Sequence, residues 1–151
     1  MPRSKRWIAD DSGSASLEFV TAGVILLVPL VYLVLVLSAV QSGSFAVEGA
    51  ARQAVRVFVQ ADTPAKGAAD AQRAVDYALA DYGLSAANAT VVISCTPHPA
   101  SCLTRLGQVT VAVSTTVTLP LVPQVLTLNV PLGVPLEASS TEVVSRFWGA
   151  P

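Results

Sequence analysis

Charge is scarce in this chain. Only 13% of its residues are Asp, Glu, Lys or Arg, and ten acidic residues against nine basic ones leave a formal net charge of −1. No basic stripe stands out, so the electrostatic footprint of a nucleic-acid-binding protein is missing, and no nucleic acid is expected as a partner. Histidine occurs once, at His98, and cysteine twice, at Cys95 and Cys102. Those three donors share one short loop with no fourth in view, whereas a structural zinc site takes four. There is no phosphate-cradling glycine loop, no serine-hydrolase elbow and no HExxH pattern. A Cys–His nucleophilic pair needs a reduced thiol and an oriented imidazole, and nothing orients His98. Asp70, Asp76 and Asp81 are spread along one segment as a solvated face and form no paired-carboxylate site. The composition therefore predicts a protein that is not an enzyme, with no metal and no cofactor.

What the chain has is apolar length. From Phe19 to Val40 no side chain is charged. At about 1.5 Å per residue this run spans roughly 33 Å as a helix, close to the ~30 Å hydrocarbon core of a bilayer. A secretory signal peptide carries only about 7–15 apolar residues. The run predicts a single transmembrane helix over residues 14–40, bent near Pro29, with the lipid bilayer as its first partner. The competing reading is a long cleaved signal peptide, with cut sites at Ser38, Ala39 or Ser42. Arg3, Lys5 and Arg6 precede the run, which puts the amino end in the cytoplasm and residues 41–151 outside it. Arg52 and Arg56 argue the other way from further off. On that topology Cys95 and Cys102 sit outside the cytoplasm and should form a disulfide. Its closed loop is short, so the chain-entropy contribution is about 2.5 kcal/mol.

Glu18 is the residue that needs a reason. A carboxylate at the edge of a membrane span is costly and marks function. It belongs to Gly13-Ser14-Ala15-Ser16-Leu17-Glu18-Phe19, which follows a polar leader and opens the apolar run. This resembles the cleavage site of type IV prepilins, a glycine followed after four residues by glutamate and a hydrophobic helix. The resemblance implies that residues 1–13 are a leader, that a prepilin peptidase cuts between Gly13 and Ser14, and that Glu18 of one subunit pairs with the new ammonium on Ser14 of another. An unpaired charge in an apolar bundle is expensive, so such a pair would favour one register between subunits.

After the span comes an alanine-rich stretch containing EGAARQAVR, residues 48–56. With the glycine–glutamate span, it resembles TadE-like minor pilins, or pseudopilins, of the tight-adherence (Flp) pilus system. The resemblance covers roughly Gly13–Val59. Phe19 follows Glu18 where the major Flp pilins carry tyrosine, and the chain is longer than a major pilin. Both departures imply an accessory subunit, with other pilin or Tad-system subunits as its partners. A class apart stands a permanently anchored extracytoplasmic binding protein without a filament role.

The remainder predicts an α+β fold. Val47, Ala51, Ala54 and Phe58 mark one face of a helix that continues the span, with Val55 and Val59 widening it. Glu48 and Arg52 are a favourable i, i+4 pair, and Gly43 or Gly49 is a candidate hinge. A second helix follows over residues 62–84, with Thr63 as N-cap, Pro64 at its first position and Gly83 as its stop. Ala68, Ala71, Val75, Leu79 and Tyr82 recur along it at helical spacing. Ala89–Cys95 reads as a strand. Gln108–Leu119 alternates strictly, with Val109, Val111, Val113, Thr115 and Val117 on one face, and is the clearest strand of the chain. Residues 120–135 are apolar but broken by four prolines, which predicts an irregular connection with at most one short strand. Leu136–Phe147 is the last strand, and Trp148 caps the sheet edge or sits at an interface.

Overall fold

The computed structural model describes residues 14–121 and 133–149. Its elements are α1 (Ser14–Val59), α2 (Pro64–Ala80), a 3-10 turn at Ala86–Asn88, β1 (Thr90–Thr96), β2 (Gln108–Thr118) and β3 (Gly133–Val143). The fold is α+β, as the sequence predicts. The leader and most of the proline-broken segment lie outside the described residues. The chain divides into two compact units between Val36 and Leu37.

The first unit is the apolar part of α1. Leucine, valine and isoleucine occur all around it, and every described side chain from Ala15 to Leu35 is exposed. A helix apolar on every side has no water-facing stripe. It is also a form whose backbone groups are satisfied within the segment, as hydrocarbon demands. Pro29 lies inside α1 without interrupting it.

The second unit begins with the last turn of the apolar run and contains the hydrophobic core. Ala46, Val47, Ala50, Ala51, Ala54, Val55 and Phe58 of α1 are buried together with Ala71, Val75 and Leu79 of α2 and Val109, Val111 and Val113 of β2. The alanines keep the helix surface flat, and Gly43 brings it closer still. A Cβ placed at Gly43 would lie 2.5 Å from Val117 Cγ2 and 2.8 Å from Leu136 Cδ1. Gly43 is therefore a contact glycine. The expected hinge is absent, because α1 runs unbroken through Gly43 and Gly49.

α2 is closed at both ends by its own sequence. Thr63 Oγ1 accepts the Lys66 N–H at 3.2 Å, with Pro64 at the first position. At the far end the Leu84 N–H reaches Leu79 O and the Gly83 N–H reaches Ala80 O, both at 2.9 Å. Gly83 has φ +71°, so this is a Schellman closure that glycine alone makes without strain. The buried face runs Gly67, Ala71, Val75, Leu79. Ala68 and Tyr82, expected inside, are exposed. Gly67 takes the place of Ala68 because its missing side chain lets Phe58 lie against α2. A Cβ there would meet Phe58 Cδ2 at 3.1 Å.

The sheet is antiparallel in the order β1-β2-β3. Val91, Ile93 and Cys95 stand opposite Val113, Val111 and Val109. Leu136 and Ala138 stand opposite Thr115 and Val113. These side chains face the helices. The other face carries hydroxyls in register, including Thr90–Ser114, Ser94–Thr110 and Thr110–Thr141. The Thr110 and Thr141 hydroxyls are 2.7 Å apart. β3 begins at Gly133 and ends at Val143, so the predicted span Leu136–Phe147 starts too late and ends too late. Pro135 is tolerated inside it because β3 is an edge strand, where one side of the ladder has no partner to serve. Beyond β3 the chain turns back. The Trp148 indole N–H donates to Ala61 O at 3.0 Å, and Arg105 Nε donates to Trp148 O at 2.9 Å. Trp148 thus pins the tail to the α1–α2 turn.

Candidate functional site

The residues singled out by sequence fall at two places, one in each compact unit. The first is the head of α1. Ser14 opens the helix, and Gly13 lies outside the described residues. Glu18, Thr21, Ala22 and Ile25 follow at the i, i+3, i+4, i+7 spacing of one helical face and, with Leu17, line a shallow groove of about 410 Å³. Phe19 is 80% exposed beside the carboxylate. Three ion pairs occur among the described residues, Glu48–Arg52, Asp62–Lys66 and Asp70–Arg73, and Glu18 takes part in none of them. Chemically this is an acceptor for a cation, set in apolar surroundings. Glu18 is the one ionisable side chain among the described residues that line the groove.

The second place is the end of β1. Cys95 and Cys102 are joined by a disulfide, with Cα atoms 5.1 Å apart. The bridge ties β1 to the segment that enters β2. His98 sits in the closed loop, where its carbonyl accepts the Ser101 N–H at 3.0 Å. No group of three or more His, Cys, Asp or Glu side chains is arranged to hold a metal ion among the described residues. Reducing the bridge, or replacing both cysteines with serine, should lower the stability of the packed domain by about 2.5 kcal/mol. Denaturant unfolding with and without reductant measures this. A loss under about 1 kcal/mol would mean that the strand ladder already holds the loop.

The packed domain's three ion pairs, among the described residues, lie in its helices and the turn before α2. The hydrogen bond from Lys66 Nζ, 2.9 Å long, and then the lysine's charge, hold the Asp62 carboxyl below its ordinary 3.8. The same contacts raise Lys66 above its ordinary 10.5. Because the aspartate value falls on folding, its contribution is complete above the ordinary aspartate value and is lost as pH drops through the folded one. Because the lysine value rises, its contribution is complete below the ordinary lysine value and is lost only in strong base. Thermal melting from about pH 7 to about pH 3 should therefore show an acid limb that Asp62→Asn removes in part. Identical profiles for the two proteins would show that solvent screens the pair completely.

Two contacts escaped the sequence reading. Gly43 against Val117 and Leu136 left no local signal, since its partners lie far along the chain. The Trp148–Ala61 bond could have been sought, because a half-buried indole needs an acceptor. Against family models, curated proteins and solved structures alike, this chain finds no match.

Proposed function

We propose that this chain is a membrane-inserted minor pilin or pseudopilin of the TadE-like kind, acting in assembly of a tight-adherence pilus or a related secretion apparatus. The observation that carries the reading is Glu18, which follows Gly13 at the prepilin spacing and lies on an unbroken helix whose side chains from Ala15 to Leu35 are exposed and mostly apolar. On this reading Arg3, Lys5 and Arg6 hold the leader in the cytoplasm, and the packed domain lies on the other side of the membrane. A prepilin peptidase removes the leader after Gly13. The ammonium freed on Ser14 of one subunit then pairs with Glu18 of a neighbour, and the cost of leaving either charge alone in an apolar bundle selects the register. The role is structural and involves no catalysis by this chain.

The test is the amino terminus of the protein purified from its own cells, with the fate of Glu18→Ala beside it. A mature chain starting at Ser14 is expected. The variant should remain in the membrane but fail to co-purify with the other subunits. A start at Met1 or Pro2 would leave a permanently anchored binding protein, and a soluble chain starting near residue 40 would remove the membrane altogether.

A further inference from the structure

The run's last turn, Leu37–Val40, belongs to the same compact unit as the domain. Gly43, about 5 Å further along the helix, touches Val117 and Leu136. So the sheet end formed by the last rows of β2 and the first rows of β3 stands almost level with the end of the run. Just beyond β2, Leu121 is 75% exposed at this end. Phe45, turned about 200° around the helix from Gly43, is 65% exposed on the helix's other side.

Charge is arranged to match. The helix carries none from Phe19 to Val47, β2 none at all, and β3 none from Gly133 to Leu136. The first charged residue on the helix is Glu48, about 7.5 Å past Gly43. The first on the sheet is Glu137, directly after the Leu136 that Gly43 touches. Helix and sheet thus pass from uncharged to charged at nearly one level. Each keeps exposed apolar side chains below it.

We infer that this end of the domain rests in the interfacial layer of the same bilayer that the apolar run enters, with Leu121 and Phe45 at the boundary between headgroups and acyl chains. The inference rests on the membrane reading above. Its occupant is lipid, because the surface adjoins Leu37–Val40, the run's own last turn, within the same unit. Apolar side chains of peripheral segments settle about 5–10 Å into that boundary, and aromatic rings favour it.

The two native cysteines are bridged, so a single new cysteine on the full chain can carry an environment-sensitive fluorophore. L121C is the probe, F45C repeats it from the other side of the helix, L33C reports the span, and Y77C reports α2. The labelled proteins go into phosphatidylcholine vesicles containing lipids spin-labelled near the headgroup end of the chain. Labels at L33C, L121C and F45C should be quenched, and the Y77C label should not. Quenching at L33C with L121C and F45C behaving like Y77C would leave the span intact and overturn the interfacial contact. An unquenched L33C would remove the span and this contact with it. Shielding of L121C that rises with protein-to-lipid ratio, without quenching, would assign the surface to a second copy and likewise overturn the inference.

Discussion

Phe58→Ala should destabilise the packed domain by about 3–5 kcal/mol, the range for truncating a buried aromatic. A domain of this size is held by only about 5–15 kcal/mol in all, so much of the margin would go. Phe58 is 2% exposed and sits where α1 crosses α2. The upper part of the range is expected because of what faces the ring. Gly67 of α2 lies against it with no side chain to fill the space, and Ala61 beside it can move only with the backbone turn. Phe58→Leu, which keeps most of the volume, should cost under about 1.5 kcal/mol. Denaturant unfolding of the full chain in detergent, followed by hydrogen exchange at β2 amides, separates the two. A loss under about 1 kcal/mol for the alanine variant would mean that α2 closes onto α1 and leaves no cavity.

The second large effect depends on two glycines of the same helix with opposite surroundings. At Gly43 a Cβ already collides with Val117, a branched side chain fixed in the central strand. Gly43→Leu should therefore cost about 3 kcal/mol, the high end for overpacking, by prising the helix from the sheet end. Nothing lies within 4 Å of a Cβ at Gly49. Gly49→Ala should stabilise by about 1 kcal/mol, since alanine is the better helix former and nothing opposes it. Opposite signs at the two positions are the expected result. Stabilisation at both would mean that the Gly43 contact is loose, and destabilisation at both would mean that Gly49 meets a partner surface.

Where the sequence was legible, the local pattern matched one physical period. β2 alternates valine with hydroxyl residues and has a buried face as predicted. α2 announces its start with Thr63-Pro64 and its end with Gly83, because caps are decided by neighbouring backbone groups. Its face was misread at Ala68 because alanine and glycine give little amphipathic contrast. Close packing on Phe58, a fact of tertiary structure, chose Gly67. β3 was read as starting late because Pro135 looked like a breaker, and whether proline breaks a strand depends on which strand is at the edge. Gly13, Glu18 and Phe19 were legible as a linear motif only. The structure places Glu18 and Phe19 on exposed helix, and the motif's proposed pairing leaves no trace within a single chain.

The outward sheet face has a consequence for how contacts made through it respond to ionic strength. Its rows are serine, threonine and other uncharged side chains, and Glu137 is the only ionisable group facing out among those paired with β2 in the central rows from Thr110 to Thr116. α2 instead exposes Lys66 and Arg73, ion-paired with Asp62 in the preceding turn and with half-buried Asp70. At physiological salt the screening length is about 8 Å, so added salt weakens attractions between exposed charges on α2. Hydrogen bonds between neutral hydroxyls carry no such dependence. An association made through the sheet should persist in brine and yield to solutes that compete for hydrogen bonds, whereas one made through α2 should do the reverse.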